Sequence, residues 1–389
     1  VPAGQAPSHP PPPAFPPPPL PEPDRNHPAP FAILLVLLAV SIMASVTLAV
    51  RVADADRQAA RTRDKVLELQ NEIDRLTDAL ASPQPSGSAQ PGAFGSSVIE
   101  RVARAVEQLR GLTFVRGVKP EVLTAEQLAV RIRELYEKEQ PRAEIEANDK
   151  TLTALGLLAP DADLYTILLE VGTEQVAGYY DDETEELVIA GSVSSLTPYD
   201  RVLVAHELVH ALTDQRFGLD TITKLQDEGK DDEALAYLSL VEGDATLMML
   251  LYRQEHLTED EQRDLDRESG ALTSPKLDAA PPVIREALLF PYDRGAQFVN
   301  ALYQRGGTAE IDKAYRLPPA STEQIMHPAR YFNRDDPTPV TLPDLGGALG
   351  PGWSRVEEGG IGEFDLLLIA DEFLPESDAR EAAAGWDGG

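Results

Sequence analysis

Phe31 to Val50 is a run of twenty residues without a charge, FAILLVLLAVSIMASVTLAV. At about 1.5 Å per residue, a helix of that length covers a hydrocarbon core of about 30 Å, so the run predicts a transmembrane helix. A cleaved signal peptide is the competing reading. It fits less well, because the apolar block exceeds an ordinary signal core and charged residues follow where a cleavage site belongs.

Residues 1–30 hold 14 of the 33 prolines and almost no periodic apolar residue, which predicts a disordered, polyproline-II-prone tail. Such a tail spaces and solubilises, or docks an aromatic-lined groove on a partner. After the span, Ala55, Ala59, Thr62, Val66, Leu69, Ile73, Leu76 and Leu80 recur at alternating steps of four and three residues. That seam predicts a coiled-coil stalk over 51–82 and a homodimer formed through it. The alternative is a single amphipathic helix lying on its own domain. Residues 83–97, rich in Pro, Gly and Ser, read as a flexible linker, and the folded domain is expected over 98–389. Arg51, Arg57, Arg61, Arg63 and Lys65 follow the span, and by the positive-inside rule they place the domain in the cytoplasm.

Composition narrows the chemistry. There is no cysteine, which excludes disulfide scaffolds, thiolate metal sites and thiol catalysis, so any metal must use His and carboxylates. The net charge is −31, almost all of it beyond residue 97, and this acidic field repels nucleic acid. It reads as a solvated acidic surface, and no EF-hand loop suggests otherwise.

Thr197, Pro198 and Asp200 form a helix start: a capping hydroxyl, a proline at the first helical position and a carboxylate three residues after the cap. The helix is expected to run to about Arg216. Within it lies His206-Glu207-Leu208-Val209-His210. The two histidines stand one turn apart on the same face, so both imidazoles can reach one metal ion. Glu207, beside the first of them, is placed to hold a water polarised by that ion and take its proton. The bland alternative is an accidental pattern on an ordinary helix. Against it, the chain has six histidines and two of them fall here, among Val202, Leu203, Ala205, Val209 and Leu212. These apolar neighbours can bury the helix.

Zinc that hydrolyses needs a third protein ligand. Asp214, eight residues from His206, lies about 12 Å away along the axis and cannot share the ion. Glu242 is the candidate, in Leu240-Val241-Glu242-Gly243-Asp244-Ala245, a polar interruption of an apolar stretch from Leu235 to Tyr252 that predicts a long buried helix. Gly243 and Ala245 are expected to let this helix approach the histidine-bearing one. Asp244 is expected to accept from a ligating imidazole and fix its tautomer.

HELVHAL followed by VEGDA resembles the gluzincin branch of the zincin metalloproteases, and in particular bacterial membrane metallopeptidases bearing HELxHAL and VEGxA. The resemblance covers the chain from about Val98 onward. It implies an α+β zincin-like domain, mainly helical with a small sheet, with Zn2+ on His206, His210 and Glu242, and with Glu207 as general base. It implies that a strand over Gly178, Tyr179 and Tyr180 binds an extended peptide; the plain alternative is a hairpin, Gln175 to Tyr180 with Glu186 to Gly191, that completes a small sheet. It also implies oxyanion stabilisation by His327 or Tyr331, against a structural histidine at 327. Tyr292 to Gly307 reads as a further helix.

The expected function is therefore a membrane-anchored zinc metallopeptidase with a single span, acting on a peptide or protein substrate, its catalytic domain outside the membrane despite the basic-residue count. Two alternatives share the ligands: a non-catalytic anchored scaffold working through its coiled coil, and hydrolysis of a non-peptide substrate.

Overall fold

The computed structural model describes residues 94–388 apart from 140–141, 175–177, 193–194, 344, 346–348, 351 and 354–358. The expected tail, span and stalk lie outside the described residues, as does the linker up to residue 93. Phe94 is already fully buried and packs edge-on against Phe114 at 5.2 Å, so residues 94–97 join the folded part rather than the linker.

Among the described residues the architecture is mainly helical with one small sheet. In chain order the elements are α1 (Ser97–Arg110), β1 (Pro120–Leu123), α2 (Ala125–Glu139), α3 (Arg142–Ala154), α4 (Leu164–Thr173), β2 (Gly178–Asp181), β3 (Glu186–Ala190), α5 (Pro198–Phe217), α6 (Thr221–Asp227), α7 (Asp231–His256), α8 (Glu259–Ala271), α9 (Pro275–Ala279), α10 (Pro282–Arg316), α11 (Thr322–Met326), α12 (Pro328–Asn333), α13 (Glu363–Phe373) and α14 (Glu376–Ala383). The sheet order is β1-β3-β2. β3 runs parallel to β1 and antiparallel to β2, with Tyr179 opposite Val188 and Tyr180 opposite Leu187. β2 is thus an edge strand, and its free edge meets α5.

α5 begins where its sequence signals it. The Thr197 side chain accepts from Asp200 N, the Asp200 side chain accepts from Thr197 N, and Pro198 holds the first helical position, where it has no amide to leave unpaired. Every residue from Val202 to Thr213 is buried, so the helix is enclosed on all sides rather than lying at a surface. α7 is similar, with a continuous buried run from Ala236 to Met249. By length and apolarity it can cross a membrane, but it is packed inside the fold and serves as its core.

α7 lies against both α5 and α10. Gly243 does not face the histidine-bearing helix, as the sequence suggested. A Cβ there would sit 2.2 Å from Gly295 O on α10, and one at Gly295 would sit 2.1 Å from Ser239 O. Backbone therefore meets backbone where α7 crosses α10, which only glycine permits. α10 leaves helical geometry at Gly306 and Gly307, where Gly307 takes a positive φ of 63°, so the expected helix ending at the glycines is its first segment.

Candidate metal centre

Three buried side chains from two helices converge on one point. His206 and His210 project from successive turns of α5, and Glu242 comes from the middle of α7. The Nε2 atoms of the imidazoles are 3.0 Å apart. Glu242 Oε2 is 3.2 Å from His206 Nε2 and 3.4 Å from His210 Nε2. Tetrahedral bonds of about 2.0–2.1 Å hold neighbouring donor atoms about 3.3–3.4 Å apart, and the three distances fall at or just inside that spacing. Two imidazole nitrogens pointed at each other compete for a single proton, whereas two lone pairs and a carboxylate oxygen suit a shared cation. The two imidazoles and one carboxylate oxygen form a group that can hold a metal ion.

Electrostatics divide the two histidines. Burial pushes the His206 imidazole down, and so does the neighbouring His210, which keeps it neutral and able to ligate. Burial acts against charge on His210 too, but Glu242 beside it outweighs this and raises the imidazole to about 9. Glu242 is the mirror case: burial opposes its charge, and the imidazoles hold its carboxyl down at about 2. In the absence of an ion, His210 and Glu242 are thus a charged pair. A divalent cation bound there would take the place of the proton between them.

Glu207 adjoins this group and is buried with it. Its Oε2 accepts from Tyr180 N of β2 at 2.7 Å, while Oε1 has no hydrogen-bond partner among the described residues. Burial pushes its carboxyl up to about 7, with Glu242 adding to the shift. One oxygen is held by the sheet edge and the other is left to accept a proton.

The expected peptide-binding strand has both tyrosine side chains turned inward. Tyr179 packs with Leu128, Ile132 and Val188, and the Tyr180 hydroxyl donates to Asp214 Oδ2 at 2.8 Å. A Cβ at Gly178 would strike Val188 O. The Tyr180 amide is engaged by Glu207. Asp214, set aside as a ligand on helix geometry, thus serves Tyr180.

Two expected roles need correction. Asp244 does not hydrogen-bond to an imidazole: its Oδ2 accepts from Arg110 Nε at 2.8 Å, and both His206 Nδ1 and His210 Nδ1 lack a partner among the described residues. Position 244 is two residues past Glu242, which on a helix turns it away from the face bearing the ligand. His327 is also elsewhere. Its side chain is 44% exposed, with Nε2 2.9 Å from Glu363 Oε1, so it is tied to α13. The Tyr331 hydroxyl donates to Leu317 O and is likewise occupied outside the group.

The aromatic residue that does reach the centre is Tyr292, on α10. Its ring stacks over His206 at 6.3 Å and its hydroxyl lies beside the Glu242 carboxylate. Burial and the Glu242 charge raise its hydroxyl well above the usual range, so it stays a neutral donor. In the sequence Tyr292 stands out only as the start of a helix. Its signal was faint: a tyrosine just after Pro291 and one turn before Gly295, the position that lets α10 touch α7.

No family model matches the chain, and no curated protein does. Among solved structures it is similar to a protein from Chloroflexus aurantiacus described as a "putative hydrolase with a novel fold", at 15% identity, over 64% of this chain and 92% of that one, with a TM-score of 0.38. So distant a likeness carries no argument about this chain, whose chemistry rests on its own residues.

Proposed function

We propose that the chain is a membrane-anchored zinc metallopeptidase, held by the apolar segment 31–50 with the domain beyond it outside the membrane. The observation that supports this reading is the convergence of His206 Nε2, His210 Nε2 and Glu242 Oε2 beside a carboxylate, Glu207, with one oxygen uncommitted. Zinc bound there supplies a Lewis acid that polarises a carbonyl and acidifies water. Glu207 takes a proton from water through Oε1 while the Tyr180 amide fixes Oε2, and it returns that proton to the departing amine. Tyr292 holds the Glu242 carboxylate in place.

Two measurements test the reading. Zinc content is expected to be one per chain in the wild type and to be lost in His206→Ala. Glu207→Gln is expected to keep the metal and lose about 10²–10⁴-fold in hydrolysis of a broad peptide library. A wild-type chain that carries no stoichiometric metal defeats the proposal. Orientation is tested by protease accessibility on intact cells, where cleavage seen only after lysis refutes the outside placement.

One observation favours a second reading, the non-catalytic scaffold with a structural metal. His206, Glu207, His210 and Glu242 are each no more than 1% exposed, an enclosure that suits a metal serving the fold alone. Stoichiometric zinc together with no difference between wild type and Glu207→Gln across the peptide library selects that reading.

A further inference from the structure

Arg110, the last residue of α1, is a guanidinium with no exposed surface. Its Nε donates to Asp244 Oδ2 on α7 at 2.8 Å, and its Nη1 donates to Asp312 Oδ1 on α10 at 2.7 Å. Tyr315, also on α10, lies with its ring 5.9 Å from the guanidinium carbon and stacks on Phe217 at the end of α5 at 4.5 Å. One buried cation thus grips α7 and α10 at once, and the aromatic ring beside it abuts the helix that carries the histidines.

Stability alone is a weak reason for such an arrangement. Desolvating a guanidinium and a carboxylate offsets most of their attraction, and an apolar cluster of the same volume holds helices together at least as well. What a fork with two fixed carboxylates adds is direction. Asp244 lies two residues past Glu242 on a helix, so fixing the first fixes the rotation of the turn that carries the second. A ligand carboxylate misplaced by one ångström no longer shares an ion with the imidazoles.

We propose that Arg110 is a positioning residue of the metal centre: by holding Asp244 and Asp312 together it sets the rotation of α7, and so where Glu242 stands relative to His206 and His210. The inference rests on the metal-centre reading above and goes beyond it, because Arg110 touches neither ion nor ligand.

The test is a Co2+ titration of the full 389-residue chain in detergent, followed by the visible absorption of tetrahedral cobalt, on the wild type, Arg110→Lys and Asp312→Asn. Lysine keeps the charge but offers one nitrogen, which cannot serve two carboxylates in a fixed fork. The expected result is a cobalt Kd raised at least about tenfold in Arg110→Lys, with an altered visible spectrum and an unchanged near-UV circular dichroism spectrum. Asp312→Asn, which removes one arm at a partly exposed partner, is expected to raise Kd roughly threefold or more. A merely structural role lowers the melting temperature of the metal-free chain and leaves cobalt Kd and spectrum as in the wild type; that outcome overturns the proposal. Should Arg110→Lys fail to fold, Asp312→Asn decides, and an unchanged Kd there overturns it. A wild-type chain that takes up no cobalt rejects the metal centre itself and this proposal with it, a result distinct from wild-type binding matched by the variants.

Discussion

Gly295→Ala tests the contact that brings α10 onto α7 and keeps Tyr292 on Glu242. The added Cβ would stand 2.1 Å from Ser239 O, 3.0 Å from its carbonyl carbon and 3.2 Å from its Cα. All three are backbone atoms inside a helix, so no side chain can swing aside. Carbon–oxygen contacts settle at about 3.3 Å, and the two helices must therefore part by roughly 1 Å. Overpacking of this kind costs about 1–3 kcal/mol. At about 2 kcal/mol, a domain of this size melts roughly 3 °C lower. Tyr292 sits one turn before Gly295 and moves with it, away from the Glu242 carboxylate beside its hydroxyl. Cobalt affinity is then expected to fall about tenfold, because the carboxylate loses the group that orients it. Calorimetry and the cobalt titration measure the two effects side by side. If Gly295→Ala melts within about 1 °C of the wild type with wild-type cobalt affinity, the close crossing does not position the centre and the reasoning is refuted.

Tyr292→Phe keeps the ring on His206 and deletes the hydroxyl beside Glu242, so metal affinity is expected to drop about tenfold with little change in melting; unchanged affinity contradicts the assignment. Chelation is expected to destabilise the fold, by about 2.7 kcal/mol if zinc had been present at 100 times its Kd, and a melting curve unmoved by chelator argues against a bound ion. Asp232, at the start of α7, accepts from Thr322 N and Oγ1, and burial pushes its carboxyl up to about 7. The folded chain then keeps a proton that the unfolded chain releases above about pH 4, so stability is expected to fall as pH rises from about 4 to about 7, by at most about 1.4 kcal/mol per pH unit. Asp232→Asn flattens that slope; urea midpoints across this range that decline equally in both proteins exclude Asp232 as the cause.

Much of the site was legible because its signals are local. Thr197, Pro198 and Asp200 mark the start of α5 through contacts within a single turn, and the observed capping box sits on those residues. The spacing of His206 and His210 places both imidazoles on one face by helix geometry alone. Glu242 was visible as a charge inside an apolar helix, a burial that needs a partner. Asp244 was misjudged because a sequence shows that a carboxylate is buried but not which of its neighbours compensates it. Its partner, Arg110, lies 134 residues away on a helix whose sequence gives no hint of the pairing.

Sequence alone determined the candidate ligand types, by the absence of cysteine and the pair of histidines one turn apart, and it marked α7 as a buried helix by an apolar stretch that only Glu242 and its neighbours interrupt. These are properties of composition and of interactions spanning three or four residues. Tertiary packing alone decided that Glu242 meets the imidazoles at 3.2 and 3.4 Å, that Tyr292 rather than His327 joins them, and that Arg110 claims Asp244. The reason is rotational: which face a wholly buried helix turns to which neighbour depends on where backbone can approach backbone, as at Gly243 and Gly295, and on where one buried charge finds another.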